Sequence, residues 1–115
     1  MLKSFDPNET WEYSSPLAPE TVFTYTAITG PIIARDFEGL STAAINRCVK
    51  KVTNIELTVT DKGKSVRRTF TGEEPFVPAV WPEVKLAEVL HYQIATGLFG
   101  AIWDHTTLTA QEMGE

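Results

Sequence analysis

"NIELTVTDKGKSVRRTF", residues 54–70, decides the fold class. Ile55, Leu57 and Val59 alternate with Asn54, Glu56, Thr58 and Thr60, the period-two pattern of a strand with one buried face. "DKGK", residues 61–64, is a turn in which Gly63 can take positive φ, and Val66, Arg68 and Phe70 share one face of the return strand. The pattern predicts a β-hairpin with a basic tip, and therefore an antiparallel sheet.

Upstream, "TVFTYTAI", residues 21–28, is rich in β-branched and aromatic residues and places Phe23, Tyr25 and Ala27 on one face of a further strand, closed by Gly30 and Pro31. Phe37, Leu40, Ala44 and Cys48 then recur at spacings of three and four, with Val52 continuing the row, which is the stripe of an amphipathic helix. Asp36 or Ser41 is expected to cap it, with Lys50 and Lys51 at the negative end of its dipole. Downstream, a loop over residues 71–80 leads to Pro82, which suits the first position of a helix expected to reach about residue 105.

That helix carries two rows. Leu86, Leu90, Ile94, Leu98 and Ile102 form a stripe to face the sheet, while Tyr92, Thr96, Phe99 and Trp103 lie on nearly the opposite side. Gly97 and Gly100 each cost a helix up to ~1 kcal/mol relative to alanine, so they point to close approach by another backbone. "TAQE", residues 109–112, matches a capping box through Thr109 and Glu112 and predicts a new helix start.

At the N-terminus, "SFDPNETWEY", residues 4–13, sets Asp6, Glu9 and Glu12 among Phe5, Trp11 and Tyr13. Pro7, Pro16 and Pro19 predict an extended arm over residues 1–20. An arm cannot hold two carboxylates at a fixed separation, so Phe5, Trp11 and Tyr13 are read as anchors rather than as parts of an active site. Either they fold back over the second helical row, or Tyr92, Gly97, Phe99 and Trp103 meet a partner.

The expected fold is α+β: a small antiparallel sheet from residues 21–28, 53–60 and 65–71, with two helices packed on one face and an extended N-terminal arm. The expected divisions are an arm (1–20), a single domain (21–106) and a C-terminal tail (107–115). A chain of 115 residues holds one modest core, and its 43% hydrophobic and 22% charged shares are ordinary for a globular protein. A lone cysteine, Cys48, rules out an internal disulfide framework and fits a reducing compartment. The apolar-rich run at residues 94–103 is too short to span a bilayer, and no signal-like segment opens the chain, so the expectation is a soluble cytoplasmic protein without a membrane partner.

The net charge of −5 hides a split. Arg47, Lys50, Lys51, Lys62, Lys64, Arg67 and Arg68 face only Glu56 and Asp61 within residues 47–68, which gives that segment +5 and leaves −10 for the remainder. Such a molecule can dock on copies of itself or set its basic part on nucleic acid. The hairpin's basic residues, Lys62, Lys64, Arg67 and Arg68, lack the interleaved aromatics of a single-strand binder, so edge protection or an acidic partner is the preferred reading.

Catalytic patterns are missing. His91 and His105 lie ~21 Å apart along one helix and cannot share a metal, and Glu88 is a surface partner for His91. No phosphate-binding loop or nucleophile elbow occurs, and Cys48 sits on an apolar stripe. Neither a cofactor nor an enzymatic activity is expected.

"FDPNETWEY" at 5–13, "TVFTYTAITG" at 21–30, the long second helix and "LTAQEMGE" at 108–115 together resemble small proteins encoded among tailed-bacteriophage morphogenesis genes, the set labelled tail assembly chaperones or small virion proteins. The resemblance covers most of the chain in order, through short motifs. It implies a non-enzymatic role in building the particle: a chaperone binding tail components, or a permanent subunit (head decoration, connector or tail ring) that self-associates through its arm and charge asymmetry. The host cytoplasm, or the virion for a permanent subunit, is then the place of action. The family offers no catalytic residues to carry over. Its pattern ends more acidically than this chain, which has only Glu112 and Glu115 there.

Overall fold

The computed structural model describes residues 8–29 and 39–113, and of residues 107–113 the backbone alone. Expectations that fall on Phe5, Asp6, Pro7, Gly30, Pro31, Asp36 and Phe37, or on the side chains of Thr109 and Glu112, lie outside the described residues. The architecture is α+β. Strands β1 (Trp11–Ser15), β2 (Ala18–Tyr25) and β3 (Val49–Thr53) form a three-stranded antiparallel sheet in that order. β4 (Ile55–Asp61) and β5 (Lys64–Phe70) form a separate two-stranded hairpin. The helices among the described residues are α1 (Leu40–Cys48), α2 (Leu86–Val89) and α3 (Tyr92–Met113).

The register explains which faces are buried. Trp11 pairs with Tyr25 and Tyr13 with Phe23, while across β2 Phe23 pairs with Val52 and Tyr25 with Val49. Directly paired residues share a face, so this side of the sheet is aromatic and β-branched from edge to edge. Leu98 and Ile102 of α3, Ala44, Ile45 and Cys48 of α1, and Leu86 of α2 are buried in the same cluster. Burying a side chain such as Phe23, Leu98 or Ile102 contributes roughly 1.5–3 kcal/mol. The exposed Arg67–Glu56 pair, at 3.2 Å, contributes about 0–1 kcal/mol, less than any one of these buried side chains.

Four expectations are corrected. The predicted single sheet is two, because the run from Val49 to Asp61 is broken at Asn54, whose φ of 56° is left-handed. Asn54 Nδ2 donates to the Glu20 carbonyl at 3.0 Å and Thr21 Oγ1 donates to the Asn54 carbonyl at 2.6 Å, which pins the corner to β2. Residues 11–20 are not a separate arm: of the two prolines that suggested a connector, Pro16 forms a tight turn with Leu17 and Pro19 lies at the start of β2, and the segment pairs as β1 and the start of β2. The boundary at residue 20 therefore falls inside a strand.

The first helix stops at Cys48, and Lys50, Lys51 and Val52 belong to β3, where Val52 is fully buried; its N-cap is Gly39, with Ser41 already inside the helix. Lys50 Nζ still reaches the Arg47 carbonyl in the last helical turn, at 3.4 Å. Finally, Pro82 opens a turn rather than a helix, Leu90 is extended between α2 and α3, and α3 runs unbroken through the expected start at Thr109.

After β5 the chain returns to the sheet. Phe76 forms a single antiparallel bridge with Val52, through two backbone hydrogen bonds of 2.8 Å. Phe76 and Trp81 both meet the ring of Phe70 edge-on, at 5.2 and 5.9 Å between centroids, and so cover the apolar face of the hairpin.

Candidate protein-binding surface

α3 is the element with two environments. Its inner side carries Leu98 and Ile102, both fully buried, with Ile94 half-buried beside them. The N-terminal members of the expected stripe, Leu86 and Leu90, reach the same core from α2 and the extended break.

Its outer side carries Tyr92, 83% exposed, and Trp103, 40% exposed, with Phe99 half-buried between them. Phe99 and Trp103 stack at 6.3 Å with planes 29° apart. Next to this row a groove of about 310 Å³ lies between α1 and α3, floored by Ile45, Ala87 and Ala95 and rimmed by Ser41, Thr42 and Thr96. Exposed aromatics beside an apolar groove with a hydroxyl-bearing rim make a surface suited to a protein partner. Tyr92 and Phe99 of the row also line the groove, so its wall and the exposed aromatics form one continuous surface.

Of the N-terminal aromatics, Trp11 and Tyr13 fold back in cis, but onto a different side of α3. Tyr13 Oη stands where a Cβ at position 97 would be, so Gly97 serves the β1 contact and is not part of the exposed aromatic row. Gly100 has open space beside it. Trp11 stacks on His105, with ring centroids 4.4 Å apart, and Tyr25 Oη lies 2.6 Å from His105 Nδ1. The same nitrogen is 3.1 Å from the Ala101 carbonyl, so the histidine tautomer decides whether Nδ1 donates to that carbonyl or accepts from the tyrosine. Burial, reinforced by the charge of Asp104, pushes the Tyr25 hydroxyl up to about 12. Tyr92, Phe99 and Trp103 thus remain as the exposed set, and Trp11, Tyr13 and Gly97 are internal.

The expected basic tip divides as well. Lys62 and Gly63 both have positive φ, 51° and 80°, as a two-residue type I′ hairpin turn requires. Lys62 and Lys64 are exposed at the turn. Further down, Arg67 Nε donates to Glu56 Oε1 and its Nη1 to Thr58 Oγ1, each at 3.2 Å. Arg68 points to the other face and lies over Trp81, 5.2 Å from its centroid. The alternation of β5 places Arg68 with Val66 and Phe70, but the loop that brings Trp81 and Val80 beside the hairpin carries no periodic signal.

Cys48 is buried, donates its thiol weakly to the Ala27 carbonyl at 3.8 Å, and has its pKa raised by burial, which leaves it inert at neutral pH. Among the described residues, no group of three or more His, Cys, Asp or Glu could hold a metal ion, and no helix is long and apolar enough to cross a membrane. No family model, no curated protein and no solved structure matches the chain.

Proposed function

We propose that the chain is a non-enzymatic bacteriophage assembly protein of the tail-chaperone type, holding a tail component on the outer face of α3. The phage assignment rests on the sequence resemblance at residues 5–13, 21–30 and 108–115. The mode of action rests on one observation: Tyr92 and Trp103 remain exposed on α3 although the chain's own aromatics are already packed on its other side. A domain that has covered one side of a helix and left an aromatic row on the other gains by burying that row against a client, since aromatic residues dominate interface energetics.

The test is binding of the purified chain to the tail-tube and tape-measure proteins of the same phage, measured by calorimetry. Trp103→Ala and Tyr92→Ala should each weaken the complex by about tenfold or more while leaving thermal unfolding cooperative. Wild-type affinity in both variants would remove this surface from the proposal. Finished particles separate the two assembly roles: a chaperone is absent from purified virions, whereas a permanent subunit is present in fixed copy number.

A further inference from the structure

The two sheets treat their edges differently. In the three-stranded sheet, β1 is interrupted by a register shift between Tyr13 and Ser15 and ended by Pro16, and β3 is closed by the Phe76 bridge at Val52. Bulges, prolines and covering segments stop another chain from pairing with an exposed edge. Strand β5 carries neither bulge nor proline. Its seven pairs with β4 run from Ile55–Phe70 to Asp61–Lys64 without a shift, and residues 64–69 are all exposed.

The register fixes which backbone groups that edge presents. Lys62 and Gly63 form a two-residue turn, so Asp61 and Lys64 exchange hydrogen bonds across it, as do the pairs Val59–Val66 and Leu57–Arg68. The alternate residues Ser65, Arg67 and Thr69 therefore direct their N–H and C=O groups outward, where they meet no partner among the described residues.

The side chains of β5 set the sign of what can pair there. The strand holds Lys64, Arg67 and Arg68 and no acid. Glu56 bonds Arg67, and Asp61 faces Lys64 in the register, but both acids belong to β4. A strand added outside β5 would lie roughly 5 Å from the cations' strand and roughly 10 Å from the acids' strand. Glu83 shares the groove at the turn with Lys62, so the cationic stretch is β5 and not the turn. Arg67 spends Nε and Nη1 on Glu56 and Thr58, and Arg68 lies over Trp81, which leaves each guanidinium with N–H groups that have no described partner. A second β5 would set cation against cation, which is unfavourable between paired residues, whereas an acidic strand gains at the same positions.

We infer that β5 accepts an extended, acidic segment of another protein as a third strand of the hairpin sheet. Main-chain hydrogen bonds to Ser65, Arg67 and Thr69 hold it, while carboxylates opposite Lys64, Arg67 and Arg68 and an apolar residue opposite the half-exposed Val66 select it. The inference does not depend on the client-binding face of α3.

The probe is a synthetic peptide with glutamates opposite Lys64, Arg67 and Arg68, valine opposite Val66 and threonine elsewhere, and the readout is amide hydrogen exchange followed by NMR. Binding should slow exchange at Ser65, Arg67 and Thr69, whereas Lys64, Val66 and Arg68 already sit in the ladder and should change little. Ser65→Pro and Thr69→Pro each delete one outward N–H and spare the hairpin's own ladder. Each should weaken peptide binding by about tenfold and leave the circular dichroism spectrum unchanged. Exchanging the peptide's glutamates for lysines should abolish binding. No saturable binding below about 1 mM, full affinity in both proline variants, or binding without protection of the three outward amides would overturn the inference. So would protection of those amides in the free chain, by another part of it or by a second copy, and so would tighter binding of a single-stranded oligonucleotide than of the peptide.

Discussion

Gly97 and Tyr13 settle between them how closely β1 approaches α3. A Cβ at position 97 would collide with Tyr13 Oη and crowd its Cζ at 3.2 Å. Alanine raises helix propensity by up to ~1 kcal/mol, whereas overpacking a contact of this kind costs about 1–3 kcal/mol. The tyrosine ring cannot simply bend away, because it also packs on Phe23 at 6.3 Å. Overpacking wins, and Gly97→Ala should lose about 1–2 kcal/mol in urea unfolding. Removing the hydroxyl in Tyr13→Phe/Gly97→Ala should recover more than half of that loss. Equal destabilisation in the single and double variants would show that the cost lies elsewhere than in this contact.

At the scale of elements, the corner at Asn54 turns one long β-run into two sheets. Asparagine is among the few non-glycine residues that tolerate its left-handed backbone, and its side chain also ties the corner to Glu20. Asn54→Gly forfeits the tie alone and should cost about 1 kcal/mol. Asn54→Ala adds left-handed strain and should cost about 2 kcal/mol. The order of the two midpoints in chemical denaturation checks the argument, and alanine outranking glycine would sink it.

The sequence signalled this hairpin well, since alternation from Ile55 and the turn at Gly63 are local features. It did not reveal that the alternation crosses a corner, because one αL asparagine leaves the period of two intact on both sides. β1 was missed for a related reason: Pro16 and Pro19 look like a connector until the pairing of Trp11 and Tyr13 with β2 is known. On α3, the stripe of Ile94, Leu98 and Ile102 was legible from spacing, and so was the second row of Tyr92, Phe99 and Trp103, but not whether the arm covers that row. The side on which the N-terminal aromatics settle was not legible, because it depends on a long-range register that no local pattern encodes.

Across the described residues, one buried cluster joins both sheets and helices α1, α2 and α3, from Tyr25 and Phe23 through Val52 and Phe76 to Leu57, Val59 and Phe70 on the hairpin and Leu98 and Ile102 on α3. A single cooperative unfolding transition is therefore expected, and the one strongly shifted hydroxyl within the cluster gives it a pH dependence. Tyr25 holds its proton in the folded state up to about 12, against 10.0 in the unfolded chain. Between those values the unfolded state has released a proton that the folded state retains, so stability is fully present below about pH 10 and falls as pH rises towards 12. Two pH units of differential protonation correspond to roughly 2–3 kcal/mol. Cys48, also raised by burial, pulls in the same direction, so the comparison must be made within a Cys48→Ala background. There, Tyr25→Phe should flatten the alkaline limb of a melting-temperature profile and leave neutral-pH unfolding cooperative. If the slope is the same with and without the hydroxyl, the loss of stability at high pH comes from the rest of the charge distribution and not from this buried tyrosine.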